Sequence, residues 1–245
     1  MAVMTTIAAG PALADDASTS AALSKIASQT EGTAVYFGNG CFWGRQKQFF
    51  DIETSSLGRN NQTVSATVGY AGGAQAGKDG KVCYYYAPSD TVYEKLGHAE
   101  VVGLSLSSGA EEAQFRAFAK EYFTQFQETP FGMIRLDPQD MGAGYRNVIG
   151  IPGGVSNTKF MNILGEENTK GMALLPGEGD RGKETDKVNT IWVMDIDKFP
   201  FYQAEVYHQF HNGIGKAFPE EYRVGVKKAA LQRGLIGSTG CPDEL

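Results

Sequence analysis

The 245-residue sequence contains few cysteines and histidines, the residues that form disulfide scaffolds and bind metal ions. It has three histidines and only three cysteines, Cys41, Cys83 and Cys241. An odd number of cysteines at such wide spacing argues against a disulfide scaffold and against a zinc ribbon. At least one thiol is therefore expected to be free in the reduced chain.

Positive charge and long hydrophobic runs are also scarce. The chain has 22 lysines and arginines against 28 acidic residues, for a net charge of −6. No basic stripe is present, which excludes nucleic acid and anionic membrane as expected partners. The hydrophobic fraction of 42% and charged fraction of 20% are ordinary for a globular protein with one sizeable domain or two small ones.

The N-terminal segment MAVMTTIAAGPALA carries no charge and ends in Ala-Leu-Ala before Asp15. It resembles the tail of a targeting peptide without the basic region, and it is too short to span a membrane. Two interpretations remain open: a targeting remnant, for a plastid or another compartment, or a disordered tail on a cytoplasmic protein. We expect residues 1–30 to be leader, 31–220 the folded domain, and 221–245 a C-terminal tail.

Hydrophobic periodicity predicts strands alternating with helices, which indicates an α+β sandwich. A helix is expected from Cys41 onward, and another over 110–126 carries a stripe of apolar aromatics. Residues 199–212 are expected to form a third helix, and the Gly-rich, charged stretch 152–188 a surface insertion. The predicted strands are 33–37, 64–70, 98–106, 145–151 and 191–196.

Cys41 lies in the stretch GCFWG, where a predicted strand gives way to a helix. Unpaired backbone N–H groups and the helix dipole favour thiolate over thiol at such a position. Gly40 and Gly44 permit a sharp turn, and Phe42 and Trp43 offer an apolar wall. The alternative is that Cys41 is a small hydrophobe packed in a tight corner.

Four further motifs follow GCFWG along the chain: GYAGG at 69–73, GHAEVV at 97–102, GYRN at 144–147 and AEVYHQ at 204–209. In this order they resemble the A-type methionine sulfoxide reductases, the peptide-methionine (S)-S-oxide reductases. The resemblance runs from about Val35 to His211. It implies a ferredoxin-like two-layer sandwich with a mixed sheet and additional loops, and assigns the reductase activity to the 31–220 domain.

The resemblance also implies roles for individual side chains. Cys41 matches the nucleophile that attacks the sulfoxide sulfur and becomes a sulfenic acid. Phe42 and Trp43 match the aromatic pair that holds the substrate methyl group.

Three more residues match the pocket that receives the sulfoxide oxygen. Tyr70 and Tyr145 match tyrosines that bind this oxygen or position water near it, since a phenol donates a hydrogen bond without adding charge. Asp140 matches an acidic residue of the same pocket.

The sequence departs from the family pattern at the expected proton donor. The pattern is taken to place a glutamate two residues before a Val-Cys pair, and GKVC at 80–83 puts Lys81 near that slot. A lysine would need a strongly lowered pKa to serve as the acid. Glu94, in the following inserted segment, is a second candidate. Gly144 stands where the family usually has a glutamine.

Regeneration of Cys41 needs a second thiol and an external reductant. Cys241, in the tail IGSTGCPDEL, is expected to resolve the sulfenic acid, with thioredoxin as reductant and no bound cofactor; an incidental cysteine is the alternative. Cys83 is expected to be a semi-buried thiol.

Glu205, His208 and His211 would share one face of the predicted third helix and superficially resemble a metal site. No second Glu-x-x-His segment completes it, and the family has AE-YHQ without needing a metal. We therefore expect a structural or pocket-edge role, and no metal.

Three functions remain open at this point. The first is thiol-dependent reduction of methionine-S-sulfoxide, in oxidised proteins or free, by a monomer that thioredoxin recycles. The second is a reductase-like binding module with little turnover because Lys81 stands near the acid's slot. The third is another thiol enzyme, such as a cysteine hydrolase, for which no motif supplies a histidine base.

Overall fold

The computed structural model describes residues 32–137, 140–179 and 184–243. The predicted leader at 1–30 lies outside these residues. A seven-stranded mixed sheet carries the fold, with the strand order β7-β8-β6-β1-β3-β2-β9. Its strands are β1 (Thr33–Gly38), β2 (Thr67–Ala71), β3 (Ala99–Leu106), β6 (Val148–Ile151), β7 (Ala173–Pro176), β8 (Thr190–Asp195) and β9 (Tyr202–Gln203). A separate hairpin pairs β4 (Phe126–Thr129) with β5 (Gly132–Arg135).

The middle of the sheet is antiparallel, because β3 pairs with both β1 and β2 and β1 also pairs with β6. Strands β8 and β7 extend it in parallel register beyond β6. Neighbouring residues on a strand alternate between two apolar clusters: Phe37 and Val102 face one side, and Tyr36 and Val101 face the other. The sheet is therefore buried on both faces, as its apolar strand sequences require.

Three helices cover the face that carries Phe37: α1 (Phe42–Ser55), α2 (Glu111–Thr124) and α3 (Thr158–Glu167). The aromatic stripe predicted for 110–126 is confirmed as core, since Phe115, Phe118 and Tyr122 are fully buried. Phe126 is buried as well, but it begins β4 instead of ending the helix. The α+β architecture expected from the sequence is thus the observed one.

Replacing Phe49 of α1 with alanine should destabilise the fold by about 3–5 kcal/mol, the usual cost of emptying a buried phenylalanine site. The Phe49 ring is fully buried, with its centroid 5.4 Å from Phe37 and 5.9 Å from Phe118. Urea unfolding followed by circular dichroism measures the change. Phe131→Ala is the matched control, because Phe131 is fully exposed and its loss should cost no more than about 0.5 kcal/mol. Equal losses in both variants would contradict this view of the core.

Two predictions about the second half of the chain are wrong. Residues 199–212 are not a helix: β9 pairs with β2, and a short 3₁₀ turn, Val206–His208, follows. The Gln209 side chain takes the place of a neighbouring strand's backbone beside Val68 of β2. It accepts a hydrogen bond from the Val68 N–H and donates one to the Val68 carbonyl. Tertiary pairing with the edge of β2 has overridden the helical spacing of this segment.

Residues 152–188 are more than a surface insertion. They contain α3, whose Phe160 and Leu164 are buried in the core, and the edge strand β7. The Gly-rich, charged parts of this stretch lie between these elements.

The C-terminal region is a packed helix before it becomes a tail. A π-helical stretch, Glu221–Val226, leads into α4 (Lys227–Gln232). Tyr222 and Ala230 are buried in a third apolar cluster with Phe210, against which Phe50 of α1 packs. No helix within the described residues is long and apolar enough to cross a membrane.

Candidate functional site

A tight corner between β1 and α1 positions Cys41. Gly40 has φ = 78°, a left-handed conformation that favours glycine, and its N–H donates to the Tyr145 carbonyl at 2.9 Å. Cys41 follows as the N-cap of α1, with an extended backbone and a side chain that is 5% exposed. The strand-to-helix turn predicted from GCFWG is the one observed. Gly44 lies within the helix itself, where its backbone is ordinary.

The buried acid beside this corner is Glu100 of β3. The Phe42 N–H, at the first position of α1, donates to Glu100 Oε2 at 3.0 Å. Gly38 allows β1 to approach closely, because a Cβ at this position would stand 2.4 Å from the Glu100 carbonyl oxygen. Burial raises the pKa of Glu100 well above its ordinary range, which favours the protonated carboxylic acid over the carboxylate.

Burial also raises the pKa of the Cys41 thiol, and the nearby Glu100 acts in the same direction. The hydrogen bond from the Trp43 N–H lowers it, but by less. The start of the helix favours the thiolate, as the sequence led us to expect, but its effect on the pKa of Cys41 is smaller than that of burial. Desolvation outweighs the helix terminus, and the resting group is a thiol.

Asp140 lies close to Cys41. Burial raises the pKa of the Asp140 carboxyl, and the Cys41 thiol acts to lower it. Arg135, paired with Asp186 at 2.7 Å, donates to the backbone carbonyls of Asp140 and Tyr145. Arg135, at the end of the β4–β5 hairpin, thus holds the backbone at Asp140 and Tyr145 in place.

Two phenols stand beside Glu100, and one of them was not predicted. Burial raises the pKa values of Tyr145 and Tyr93, and each of the two phenols interacts electrostatically with Glu100 and lies close enough to affect the pKa of the other. Tyr70 stacks on Tyr93 at 4.7 Å, but its hydroxyl donates to Glu205 Oε2 at 2.8 Å. The hydroxyl of Tyr70 is thus committed to Glu205.

At position 144, where the family usually has a glutamine, the space for a side chain is taken by neighbouring residues. A Cβ on Gly144 would stand 2.6 Å from Glu94 Oε1 and 3.0 Å from the Tyr93 ring. Glu94 and Tyr93, both from the inserted segment, therefore fill the space that a side chain at this position would need. Glu94 itself is exposed at the rim of the site.

Phe42 and Trp43 occupy different depths. The Phe42 ring is buried, 5.9 Å from Tyr70 and 5.4 Å from His208. Trp43 is partly exposed; its Nε1–H donates to His208 Nδ1 at 3.3 Å, and its ring stands 4.1 Å from that of His211. Burial lowers the pKa of His208 to about 3, so its imidazole is neutral. His208 thus has the pocket-edge hydrogen-bonding role expected of it, although not on a helix.

Lys81 lies away from the corner. Its Nζ donates to the Gly240 carbonyl at 2.9 Å, so it serves the C-terminal segment. That Lys81 replaces the acidic proton donor stays a prediction, and this contact with Gly240 does not support it. The glutamate that contacts the corner comes from GHAEVV, whose unbroken apolar flanks were the available signal for a buried acid.

Cys83 and Cys241 form a disulfide with a Cα–Cα distance of 5.7 Å, across 158 residues of chain. Cys83 is therefore not the free thiol that the sequence suggested. Cys41 remains the free cysteine. The structure thus brings Cys41, Asp140, Tyr145, Phe42 and Trp43 to one corner, and pairs the predicted resolving thiol with another partner.

Comparison with known proteins gives a partial match. No family model matches the chain. Over 123 residues it is 32% identical to the peptide methionine sulfoxide reductase MsrA of Methylococcus capsulatus, a match covering 48% of this chain and 44% of that relative. The chain thus spans less than half the length of this curated relative.

Two solved structures are similar at 20% sequence identity. Methionine sulfoxide reductase A of Corynebacterium diphtheriae has a TM-score of 0.43, with 72% of each chain covered. Mxr1 from Saccharomyces cerevisiae in reduced form has a TM-score of 0.40, with 72% of this chain and 81% of that one covered. The sequence match to the Methylococcus protein confirms the resemblance to the A-type methionine sulfoxide reductases that the five motifs indicate.

Proposed function

We propose that this protein reduces methionine-S-sulfoxide, peptide-bound or free, to methionine, with Cys41 as nucleophile and Glu100 as proton donor. The observation that carries the proposal is the contact between the start of α1 and Glu100, which sets a buried acid with a raised pKa beside a free thiol. The motif order and the partial match to a known reductase support the same substrate.

The reaction balances with these two groups. Glu100 gives its proton to the sulfoxide oxygen, which makes the substrate sulfur electrophilic. Cys41 Sγ then bonds to that sulfur while its own proton passes to Glu100. Transfer of the hydroxyl to Sγ breaks the bond between the two sulfurs and leaves methionine and a Cys41 sulfenic acid. Glu100 ends protonated, as it began, and the substrate has received two electrons from Cys41.

Neighbouring side chains have supporting roles in this proposal. The hydroxyl pair of Tyr93 and Tyr145 would hold the sulfoxide oxygen, the role that the sequence suggested for Tyr70 and Tyr145. Trp43, partly exposed and fixed by His208, would contact the substrate methyl group, with Phe42 packed beneath it. Asp140, close to the thiol, would hold it in place through a hydrogen bond.

The finer fold assignment belongs to the same proposal. The elements from β1 to β6 follow a β-α-β-β-α-β order when the β4–β5 hairpin is set aside, and their strands lie in the sheet order β6-β1-β3-β2. This arrangement supports a ferredoxin-like two-layer sandwich. The parallel strands β7 and β8 would then be additions at one edge.

We further propose that Cys241 resolves the sulfenic acid. Attack by the Cys241 thiol on Cys41 Sγ releases water and forms a Cys41–Cys241 disulfide. Exchange with the Cys83 thiol then frees Cys41 and leaves Cys83–Cys241, the pairing that the structure contains. The five residues after the buried Ile236 allow Cys241 a reach of roughly 17 Å. Thioredoxin would reduce the final disulfide, acting on a monomer.

Cys241→Ser should keep a single turnover of methionine-S-sulfoxide but lose at least about nine-tenths of thioredoxin-driven turnover, because Cys83, buried before Tyr84, does not replace Cys241 as the thiol that attacks the sulfenic acid. Rapid-quench measurement of methionine separates the two phases. Cys83→Ser is the comparison: it should accumulate the Cys41–Cys241 disulfide, visible by mass spectrometry of peptides. Unchanged thioredoxin-driven turnover in Cys241→Ser would refute the relay.

The experiment that tests the main proposal offers the two sulfoxide epimers separately. The protein with dithiothreitol should reduce dabsyl-methionine-S-sulfoxide and leave the R epimer unreacted, with product measured by chromatography. Absence of S-epimer reduction would overturn the proposal. The binding-module alternative depends on Lys81 replacing the acid, and the place of Glu100 at the start of α1 does not support it.

A further inference from the structure

The disulfide has a third chemical partner, the carboxylate of Glu205. The sulfur atoms of Cys83 and Cys241 and a Glu205 oxygen all lie within 4.8 Å of one another. These side chains come from three distant parts of the sequence, before Tyr84, after β9 and near the chain's end. The group differs from the Glu205, His208 and His211 set that helical spacing suggested.

Glu205 is a buried carboxylate, 2% exposed, held in a fixed orientation. One oxygen accepts from the Tyr84 N–H and the other from the Tyr70 hydroxyl, each at 2.8 Å. Hydrogen bonds of this kind orient carboxylates that coordinate metal ions. Each oxygen keeps a further lone pair for another partner.

Positive charge is scarce around this carboxylate. Within the described part of the chain, the basic side chain that reaches Glu205 is His208, with Nε2 at 3.9 Å from Oε2. A buried carboxylate in this position gains most from a cation placed next to it.

We propose that reduction of the Cys83–Cys241 disulfide converts this cluster into a Zn²⁺ site, with two thiolates and the Glu205 carboxylate as ligands. A reductant supplies two electrons and two protons, giving two thiols, and Zn²⁺ binding then displaces one proton from each. Two soft sulfurs with one oxygen are a ligand set that zinc accepts in tetrahedral geometry, and water fills the fourth position. Cys241 is only partly buried, which leaves the metal open to that water.

The distances suit this change of state. Ligand atoms around one zinc ion stand roughly 3–4 Å apart. Once the bond between the sulfurs is broken, they must separate, while the Glu205 oxygen needs to approach by only about 1 Å. Cys41 is not part of the site, because its thiol lies at the start of α1 among Glu100 and Asp140. The inference rests on the same two cysteines as the proposed relay, but its test is separate from that relay, because a chain with Cys41→Ser cannot form the Cys41 sulfenic acid.

The test uses the full chain with Cys41→Ser, so that Cys83 and Cys241 are the only thiols. After reduction with a phosphine and its anaerobic removal, Zn²⁺ is titrated in competition with a chromogenic chelator. We expect one Zn²⁺ per chain, binding lost with Cys83→Ser or Cys241→Ser, and no binding to the oxidised protein. Co²⁺ in place of Zn²⁺ should give a thiolate-to-metal charge-transfer band.

Glu205→Gln should lower Zn²⁺ affinity by more than about tenfold, while Glu128→Gln, at an exposed glutamate of β4, should leave it unchanged. Tyr70→Phe keeps all three ligands but removes an orienting hydrogen bond, and should weaken binding by about tenfold. Circular dichroism and a Zn²⁺-dependent rise in melting temperature show that the reduced chain is folded. Failure of the reduced protein to bind Zn²⁺, or equal affinity in Glu205→Gln, would overturn the site.

Discussion

Cys41→Ser should lower the rate of methionine-S-sulfoxide reduction by more than about 10⁴-fold, leaving no turnover above background with dithiothreitol. The hydroxyl that replaces the thiol is far too weak a nucleophile toward sulfur, and it cannot pass through a sulfenic acid. Steady-state production of methionine from the S epimer measures the loss. This is the largest effect that we expect from any single substitution in the chain.

The Cys41→Ser variant should be folded normally, so that its inactivity can be assigned to chemistry. Position 41 is the N-cap of α1 and has no side-chain capping bond in the parent. Serine is among the preferred N-cap residues, so the change should not destabilise the helix. Urea unfolding checks this point. If the Cys41→Ser protein were active, Cys41 would not be the nucleophile, and the reaction would have to be assigned to the Cys83–Cys241 pair. If it were unfolded, the same measurement would be made on Cys41→Ala.

The strands next to Cys41 could be predicted from the sequence, because their local sequence pattern and their place in the sheet favour the same secondary structure. Strands 33–37 and 98–106 were predicted within one residue of β1 and β3, because both are mainly apolar runs of strand length that precede a helix. The prediction of a helix over residues 199–212 was wrong because the local pattern and the tertiary structure disagree there. Their helical spacing is genuine, but the backbone of β2 offered an unpaired edge, and β9 and Gln209 satisfy it.

The nucleophile of the proposed site could be predicted from the sequence, but the acid could not. Cys41 could be found because GCFWG combines a strand end, a helix start and a reactive residue within five positions. Glu100 has only a weak local signature, the apolar residues on both sides of it in GHAEVV, and only the pairing of β3 with β1 brings it to the start of α1. The Cys83–Cys241 bond depends in the same way on contacts over 158 residues, which spacing does not reveal.

Glu100→Gln should lower the rate of methionine-S-sulfoxide reduction by about 10²–10⁴-fold, the usual contribution of a positioned general acid. Glutamine keeps the size of the side chain and can still accept the Phe42 N–H bond, but it cannot give a proton to the sulfoxide oxygen or receive one from Cys41. Single-turnover measurement of methionine under dithiothreitol-free conditions isolates this step. Glu94→Gln is the matched control, because Glu94 is an exposed glutamate at the rim of the same site.

The pH profile separates the acid role from a structural one. The folded pKa of Glu100 lies well above its ordinary value, so the proton-donating form persists to higher pH than in an ordinary glutamate and is lost as pH rises through that raised pKa. The parent rate should therefore fall on the alkaline side, and the residual rate of Glu100→Gln should be flat over the same range. Burying a carboxyl with a raised pKa also costs stability as pH rises, so Glu100→Gln should resist urea at high pH at least as well as the parent. A slow variant that keeps the alkaline decline would mean that another group donates the proton, and Glu94→Gln would then be expected to abolish that decline.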